Sequence, residues 1–214
     1  MHDMIEYLPS LASSSFKTLF PLFTRFAPAP SPEIRQAACS GLGFLSLLPE
    51  FQQSISSTAI LLKKVITLPE ARSKRFIFAT ENAIAAFGRL LLRWYSIIPS
   101  NILSQFSAFF MSVLPVFRDD IESPLTYQTY SRLLASIPQH MYGPKRELLP
   151  KACSILVFIA QTPSLATPCC LASLKQLLLK AATKWPADYA AAVASLPADL
   201  QVVLKDSMVL SINQ

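Results

Sequence analysis

Two segments of this sequence, residues 32–43 (PEIRQAACSGLG) and 77–88 (IFATENAIAAFG), align with each other without a gap. The alignment sets Ala38 against Ala83 and Gly43 against Gly88, at a spacing of 45 residues. Apolar residues follow both segments and recur every three or four positions, which is the period of an α-helix and not of a strand. A helical pattern that returns after a fixed distance indicates a repeat protein.

A period of about 45 residues is that of HEAT repeats, each of which is built from a pair of helices. We predict an all-α HEAT-repeat α-solenoid that occupies residues 1–214 as a single domain. The expected repeats are 11–48, 52–95, 101–137 and 146–185, followed by a C-terminal helical cap at 187–208. The expected helices are 11–26, 32–48, 52–67, 76–95, 101–117, 122–137, 146–161, 168–185, 187–195 and 198–208.

The 17 prolines of the chain lie mainly where these helices meet. Proline lacks a backbone N–H and is tolerated in the first turn of a helix, so it closes one helix and opens the next. Ser31, Pro32 and Glu33 have the residue types of an N-cap, a first helical position and an acid matched to the helix dipole. Thr167 and Pro168 likewise have the residue types of an N-cap and a first helical position. Pro21 is expected to kink or split its helix.

Composition favours a folded chain, with 52% hydrophobic and 15% charged residues. No apolar run reaches the roughly 18 residues that a membrane span requires, so we expect no membrane association. The first six residues lack the positive charge and apolar core of a secretory signal.

The four cysteines, which have neither disulfide nor metal-pair spacing, are interpreted as buried thiols of a reduced compartment. They are Cys39, Cys153, Cys169 and Cys170.

The residues of the common enzyme and cofactor sites are missing from the sequence. Four glycines form no phosphate-binding loop, and two histidines leave no catalytic triad or His-rich metal site. Asp119, Asp120 and Glu122 are the one cluster of carboxylates, and we interpret them as a charged turn and helix N-terminus. We therefore predict no enzyme activity, no cofactor and no metal.

Four segments resemble the C-terminal HEAT repeats of the importin-beta (karyopherin) family of nuclear transport receptors, in its importin four and importin five branch. They are 31–45 (SPEIRQAACSGLGFL), 79–92 (ATENAIAAFGRLLL), 126–156 (TYQTYSRLLASIPQHMYGPKRELLPKACSIL) and 189–204 (YAAAVASLPADLQVVL). The resemblance implies a receptor that shuttles between cytoplasm and nucleus and binds histones, ribosomal proteins or a cargo chaperone on its concave face. It also implies contacts with nucleoporins, and binding of Ran through N-terminal repeats that this chain lacks.

In the family, an asparagine on an inner helix can hold the backbone of an extended cargo peptide, and the matching position here is Asn82, beside Glu81. Ala37 occupies the equivalent position of the preceding repeat, which interrupts any asparagine ladder. The other interpretation of Asn82 is an ordinary solvated helix residue.

The predicted second helices of the repeats carry a stripe of basic and amide side chains on their polar faces. The stripe consists of Gln36, Arg89, Arg93, Gln128, Arg132, Gln176, Lys180 and Lys184. With a net charge of +6, the chain is expected to prefer an acidic partner, such as an acidic histone chaperone, to a basic peptide. A nucleic acid is disfavoured because aromatic side chains do not alternate with the charges. The alternative is that the stripe is only a solvated face.

Two functions therefore stay open on the sequence alone. The first is a segment of an importin-type receptor that binds protein partners. The second is a HEAT-repeat scaffold from a non-transport system, because the physics of the repeat is the same in both.

Overall fold

The computed structural model describes the chain from Pro9 to Val209, and within this stretch every regular element is helical. This confirms the predicted all-α class. None of the helices described is long and apolar enough to cross a membrane. The chain forms two compact units, residues 1–98 and 99–214, and the boundary falls between the second and third predicted repeats. The first six residues, where we expected no secretory signal, lie outside the described part.

Within unit 1–98, the part described from Pro9 onward contains four α-helices and a 3-10 turn at Pro49–Ser54. The helices are α1 (Pro9–Phe26), α2 (Pro32–Leu45), α3 (Ile55–Ile66) and α4 (Ile77–Trp94). α1 packs on α2, α3 packs on α4, and α2 lies along α4 in the most extensive helix pairing of the unit. Phe51 of the 3-10 turn meets the rings of Phe16 and Phe20 edge to face, at centroid distances of 6.4 and 5.7 Å.

Small residues permit the close approach of α2 and α4. A Cβ atom placed on Gly43 of α2 would lie only 2.9 Å from both Cα and Cβ of Ala86 on α4. Gly43 is therefore needed here for its small size, since any side chain would force the two helices apart.

A buried arginine ties the loop after α3 to the start of α2. Arg35 donates from Nε to the carbonyl oxygen of Ala29 at 2.8 Å and from Nη2 to Oε1 of Glu70 at 3.0 Å. Its guanidinium also lies over the ring of Phe76, 4.2 Å from the ring centroid. A buried charge with a carboxylate partner, a carbonyl and an aromatic face is far less costly than a bare one.

Up to Val209, where the described part ends, unit 99–214 contains seven α-helices and a 3-10 turn at Pro163–Leu165. The helices are α5 (Ser100–Val113), α6 (Glu122–Ser136), α7 (Pro138–Met141), α8 (Leu149–Gln161), α9 (Pro168–Lys184), α10 (Pro186–Ala194) and α11 (Ala198–Val209). α5 packs on α7 and α8, α6 packs on α9, and the last three helices gather around α8.

The connection between α5 and α6 is extended, which corrects the predicted helix 101–117. α5 ends at Val113 because a residue before proline avoids the helical conformation, and Leu114, which precedes Pro115, is extended. Tyr127 of α6 then holds the extended segment: its hydroxyl donates to the carbonyl of Val116 at 2.8 Å and accepts from the Val116 N–H at 3.0 Å.

Other local predictions had mixed outcomes. The Ser31 hydroxyl accepts from the N–H of Ile34 and the Thr167 hydroxyl from that of Cys170, so both predicted N-caps are confirmed. The predicted helix 52–67 is instead a 3-10 turn followed by α3, and the helix at 138–141 was not predicted. Pro21 does not split its helix, because α1 runs through it from Pro9 to Phe26.

Candidate partner-binding surfaces

The asparagine singled out in the sequence is not on the surface. Asn82 is 3% exposed and Glu81 is 1% exposed, because α4 is covered along most of its length. The Asn82 side-chain amide donates to the carbonyl of Phe78 on the same helix, at 3.0 Å. Our expectation that these two side chains face a partner is therefore wrong: neither has surface with which to touch one.

The two arginines of α4 lie against the end of α2. Arg93 is exposed, and its Nε donates to the carbonyl of Leu47 at 3.3 Å. Arg89 is half-buried, with its guanidinium 4.8 Å from the centroid of the Phe44 ring. Gln36 of α2 is also half-buried. Arg93 thus offers a charge to solvent, whereas Arg89 mainly supports helix packing.

In the other unit, the stripe residues lie on two helices that pack side by side, α6 and α9. Gln128 is half-buried and Arg132 is exposed on α6. On α9, the stripe residues Gln176, Lys180 and Lys184 are all exposed. The two lysines are one helical turn apart and so project from the same face. The structure therefore places these predicted charges on neighbouring helices within residues 99–214.

A groove of about 250 Å³ runs beside these lysines, between α9 and the segment formed by α6 and α7. Lys180 and Lys184 line it together with apolar and aromatic side chains. The apolar and aromatic part of the lining is Leu134, Ala135, Pro138, Tyr142, Leu177, Ala181 and Trp185. Two cations beside an apolar cleft suit a segment that carries both a bulky apolar side chain and a carboxylate.

The aromatic side of this groove is firmly held. The rings of Tyr142 and Trp185 meet edge to face with centroids 5.8 Å apart, and the Tyr142 hydroxyl donates to the carbonyl of Leu177 at 3.4 Å. The guanidinium of Arg146 lies 4.0 Å from the centroid of the Trp185 ring. Burial raises the pKa of the Tyr142 hydroxyl above its usual range.

A larger apolar groove, of about 650 Å³, lies among α9, α10 and α11 and was not predicted. Its lining includes Leu179, Tyr189, Val193, Val202 and Met208. Val202 is 60% exposed, a high value for an apolar side chain. The signal in the sequence was the apolar residues on more than one side of α11, which a single packing partner cannot cover.

Asp119 of the acidic cluster lies at the N-terminus of a helix, as we predicted. An Asp119 carboxylate oxygen accepts from the backbone N–H groups of Ile121 and Glu122, at 3.1 and 2.9 Å, at the start of α6. Among the residues that the structure describes, no three His, Cys, Asp or Glu side chains are grouped so as to hold a metal ion.

The cysteines were predicted to be buried, which is correct for Cys39, Cys153 and Cys170 but wrong for Cys169. Cys169 and Cys170 are neighbours near the start of α9, so their side chains point about 100° apart. Cys170 is directed into the core and Cys169 is exposed.

No protein-family model matches this chain.

Proposed function

We propose that this chain is a protein-binding segment of an importin-beta type nuclear import receptor, built as a HEAT-repeat α-solenoid of four repeats with a C-terminal helical cap. Such a segment would bind histones, ribosomal proteins or an acidic cargo chaperone, and would shuttle between cytoplasm and nucleus. The proposal starts from the four sequence segments that resemble the C-terminal repeats of this family.

Helix pairing supports the repeat architecture. In an α-solenoid each repeat stacks on its neighbour, so equivalent helices of successive repeats lie side by side. α2 and α4, which contain the two segments that align at a spacing of 45, pack along each other through Gly43 and Ala86. α6 and α9, the second helices of the third and fourth proposed repeats, also pack together.

The groove beside Lys180 and Lys184 is the observation that carries the binding function. It combines two exposed cations with an apolar and aromatic lining, and it lies between the second helices of two proposed repeats. Exposed cations attract acidic groups and repel basic ones, so an acidic chaperone or an acidic loop fits this groove better than a bare histone tail. Basic cargo would then bind elsewhere on the receptor or through the chaperone.

The second candidate is a HEAT-repeat scaffold outside transport, with the same groove as its docking site. The physics of repeat stacking is the same in both. An experiment that joins the Ran-binding N-terminal repeats of an importin to this chain distinguishes the two functions. In a receptor, GTP-loaded Ran bound to those repeats would release the partner from this chain. In a scaffold, Ran would not change the binding of the partner. This segment alone is expected not to bind Ran tightly.

The test is to reverse the groove charges with Lys180→Glu and Lys184→Glu together. Fluorescence anisotropy would measure binding of an acidic peptide that carries Leu and Phe, and of a histone H3 tail peptide, at low and moderate salt. We expect the acidic peptide to bind about tenfold more weakly and the histone tail more strongly, since two exposed charges that contribute up to about 1 kcal/mol each are reversed.

Lys17→Glu is the matched control, because Lys17 is an exposed helical lysine in the other unit. Its effect on either peptide should be small. If the double reversal leaves both affinities unchanged, the groove is only a solvated face and the proposal fails.

A further inference from the structure

The apolar groove among α9, α10 and α11, which we call the cap groove, has the dimensions of a small-molecule site. Its volume of about 650 Å³ lies within the range of about 300–1,000 Å³ that is typical of ligand pockets. Ten residues line it, whereas a stable protein–protein interface takes about 20–30 residues on each side. The cap groove is therefore better suited to a small ligand than to a protein surface.

Packing within the unit sets the walls of the cap groove. α10 and α11 both pack on α8, and α10 also packs on α9. The side-chain amide of Gln201 on α11 donates to the carbonyl of Leu196 at 2.8 Å, which ties α11 to the loop after α10. Leu204 and Met208 are buried and anchor α11. Because these contacts hold the walls in place, little ordering is required when a ligand binds.

A single cation lies in the middle of this apolar lining. Lys205 is exposed and follows Val202 by three residues and precedes Met208 by three, so all three share one face of α11. Among the described residues that line the cap groove, no other is charged. Asp199 and Asp206, the acids of α11, are turned away from Lys205 by about 100° or more around the helix. The positive charge therefore faces the groove without an acid beside it in the lining.

The two other polar side chains of the lining are directed elsewhere. The Gln201 amide, besides its bond to Leu196, donates to the carbonyl of Ala194 at 3.5 Å. Burial raises the pKa of Tyr189 to about 12, with the buried Cys153 as the second cause. An interaction with a thiol of the core places the Tyr189 hydroxyl on the core side, so its ring forms the wall. Lys205 is then the group that would meet the polar end of a ligand.

We propose that the cap groove binds a fatty carboxylate, with the alkyl chain along the apolar lining and the carboxylate at Lys205. One cation in an apolar cleft complements a molecule with one negative charge at the end of an apolar chain. A phosphorylated headgroup is matched best by the paired donors of arginine, and the described lining contains none. A bilayer surface takes up a protruding apolar helix face, whereas these side chains line a concavity.

The experiment measures binding of decanoate and of its neutral analogue, 1-decanol, to the full chain by isothermal titration calorimetry. We expect saturable binding of decanoate, weaker binding of 1-decanol and of octanoate, and tighter binding of dodecanoate, because each buried methylene adds to the affinity. Lys205→Gln should weaken decanoate about fivefold, the effect of one exposed charge, and leave 1-decanol unchanged. Lys74→Gln, at an exposed lysine of the other unit, is the matched control and should change neither.

A second variant fills the cap groove. Ala198 is exposed and lines it, so Ala198→Phe should weaken decanoate and 1-decanol alike, by at least about tenfold. Ala187→Phe, at an exposed alanine of α10 outside the lining, is its control. Circular dichroism would verify that both remain folded. Val202→Asp, at a side chain that is 60% exposed, offers a further readout and should weaken decanoate more than 1-decanol.

The proposal is independent of the groove beside Lys180 and Lys184, so the charge reversal there should leave decanoate affinity unchanged. Lack of saturable decanoate binding would overturn the proposal, as would equal affinity of Ala198→Phe and the unaltered chain. A Lys205→Gln variant that weakens decanoate no more than 1-decanol would overturn the assignment of the carboxylate. If sedimentation velocity shows a dimer that Ala198→Phe dissociates, the occupant is a second copy of the chain. Binding to phosphatidylcholine vesicles that Ala198→Phe abolishes would indicate a membrane instead, and either result overturns the proposal.

Discussion

Cys169 differs from the other three cysteines in its accessibility. Burial raises the pKa of Cys39 and of Cys153 to about 12 and raises that of Cys170, so these thiols are both covered and protonated near neutral pH. The thiolate is the reactive form. We therefore predict that Ellman's reagent at pH 8 titrates one thiol in the native protein and four in guanidinium chloride. The Cys169→Ser variant should show none in the native state; fast reaction of a second thiol would contradict the burial of the other three.

Single residues also show how far a sequence pattern can be trusted for a binding site. Lys180, Lys184 and Arg132 are exposed, as their polar stripes indicate. Asn82 had the same kind of local pattern but is buried, since its surroundings are set by helices distant in sequence. Burying a charged side chain is costly unless it has partners, as Arg35 has, whereas a neutral amide needs only a hydrogen-bond partner.

At the scale of elements, the pairing of α2 with α4 depends on the missing side chain at Gly43. In the Gly43→Ala variant, the added methyl lies 2.9 Å from Ala86 and forces the helices apart. Overpacking costs about 1–3 kcal/mol, and the better helix propensity of alanine returns about 1 kcal/mol. We expect a net destabilisation of about 1 kcal/mol, seen as a Tm lowered by several degrees in thermal unfolding, and a larger loss for Gly43→Val.

Ala37→Gln on the same helix is the control, because position 37 is exposed and both residues favour helices. Its Tm should stay close to that of the unaltered chain. A rise in Tm for Gly43→Ala would mean that α2 and α4 are less closely packed than described.

At the scale of the whole molecule, the division into units 1–98 and 99–214 has a direct consequence. Each unit has its own buried core, including Phe51, Phe87 and Leu90 in the first and Tyr127, Tyr130 and Phe110 in the second. A segment with its own core is expected to fold alone. We predict that each unit, produced separately, gives a helical circular dichroism spectrum and a cooperative thermal transition. A spectrum without cooperative unfolding in either unit would show that its core is incomplete.

The sequence by itself determined the helical class, the repeat spacing of the first two segments and the capped starts of α2 and α9. These depend on local physics: the helical period of apolar residues, the missing N–H of proline and the hydrogen bond from a Ser or Thr cap. Only the tertiary structure decided which polar residues are exposed, that Tyr127 holds the extended segment after α5, and that residues 72–75 form an ordered turn. The reason is that burial, grooves and loop shape depend on contacts between residues far apart in the chain, such as Arg35 with Glu70, which no local pattern records.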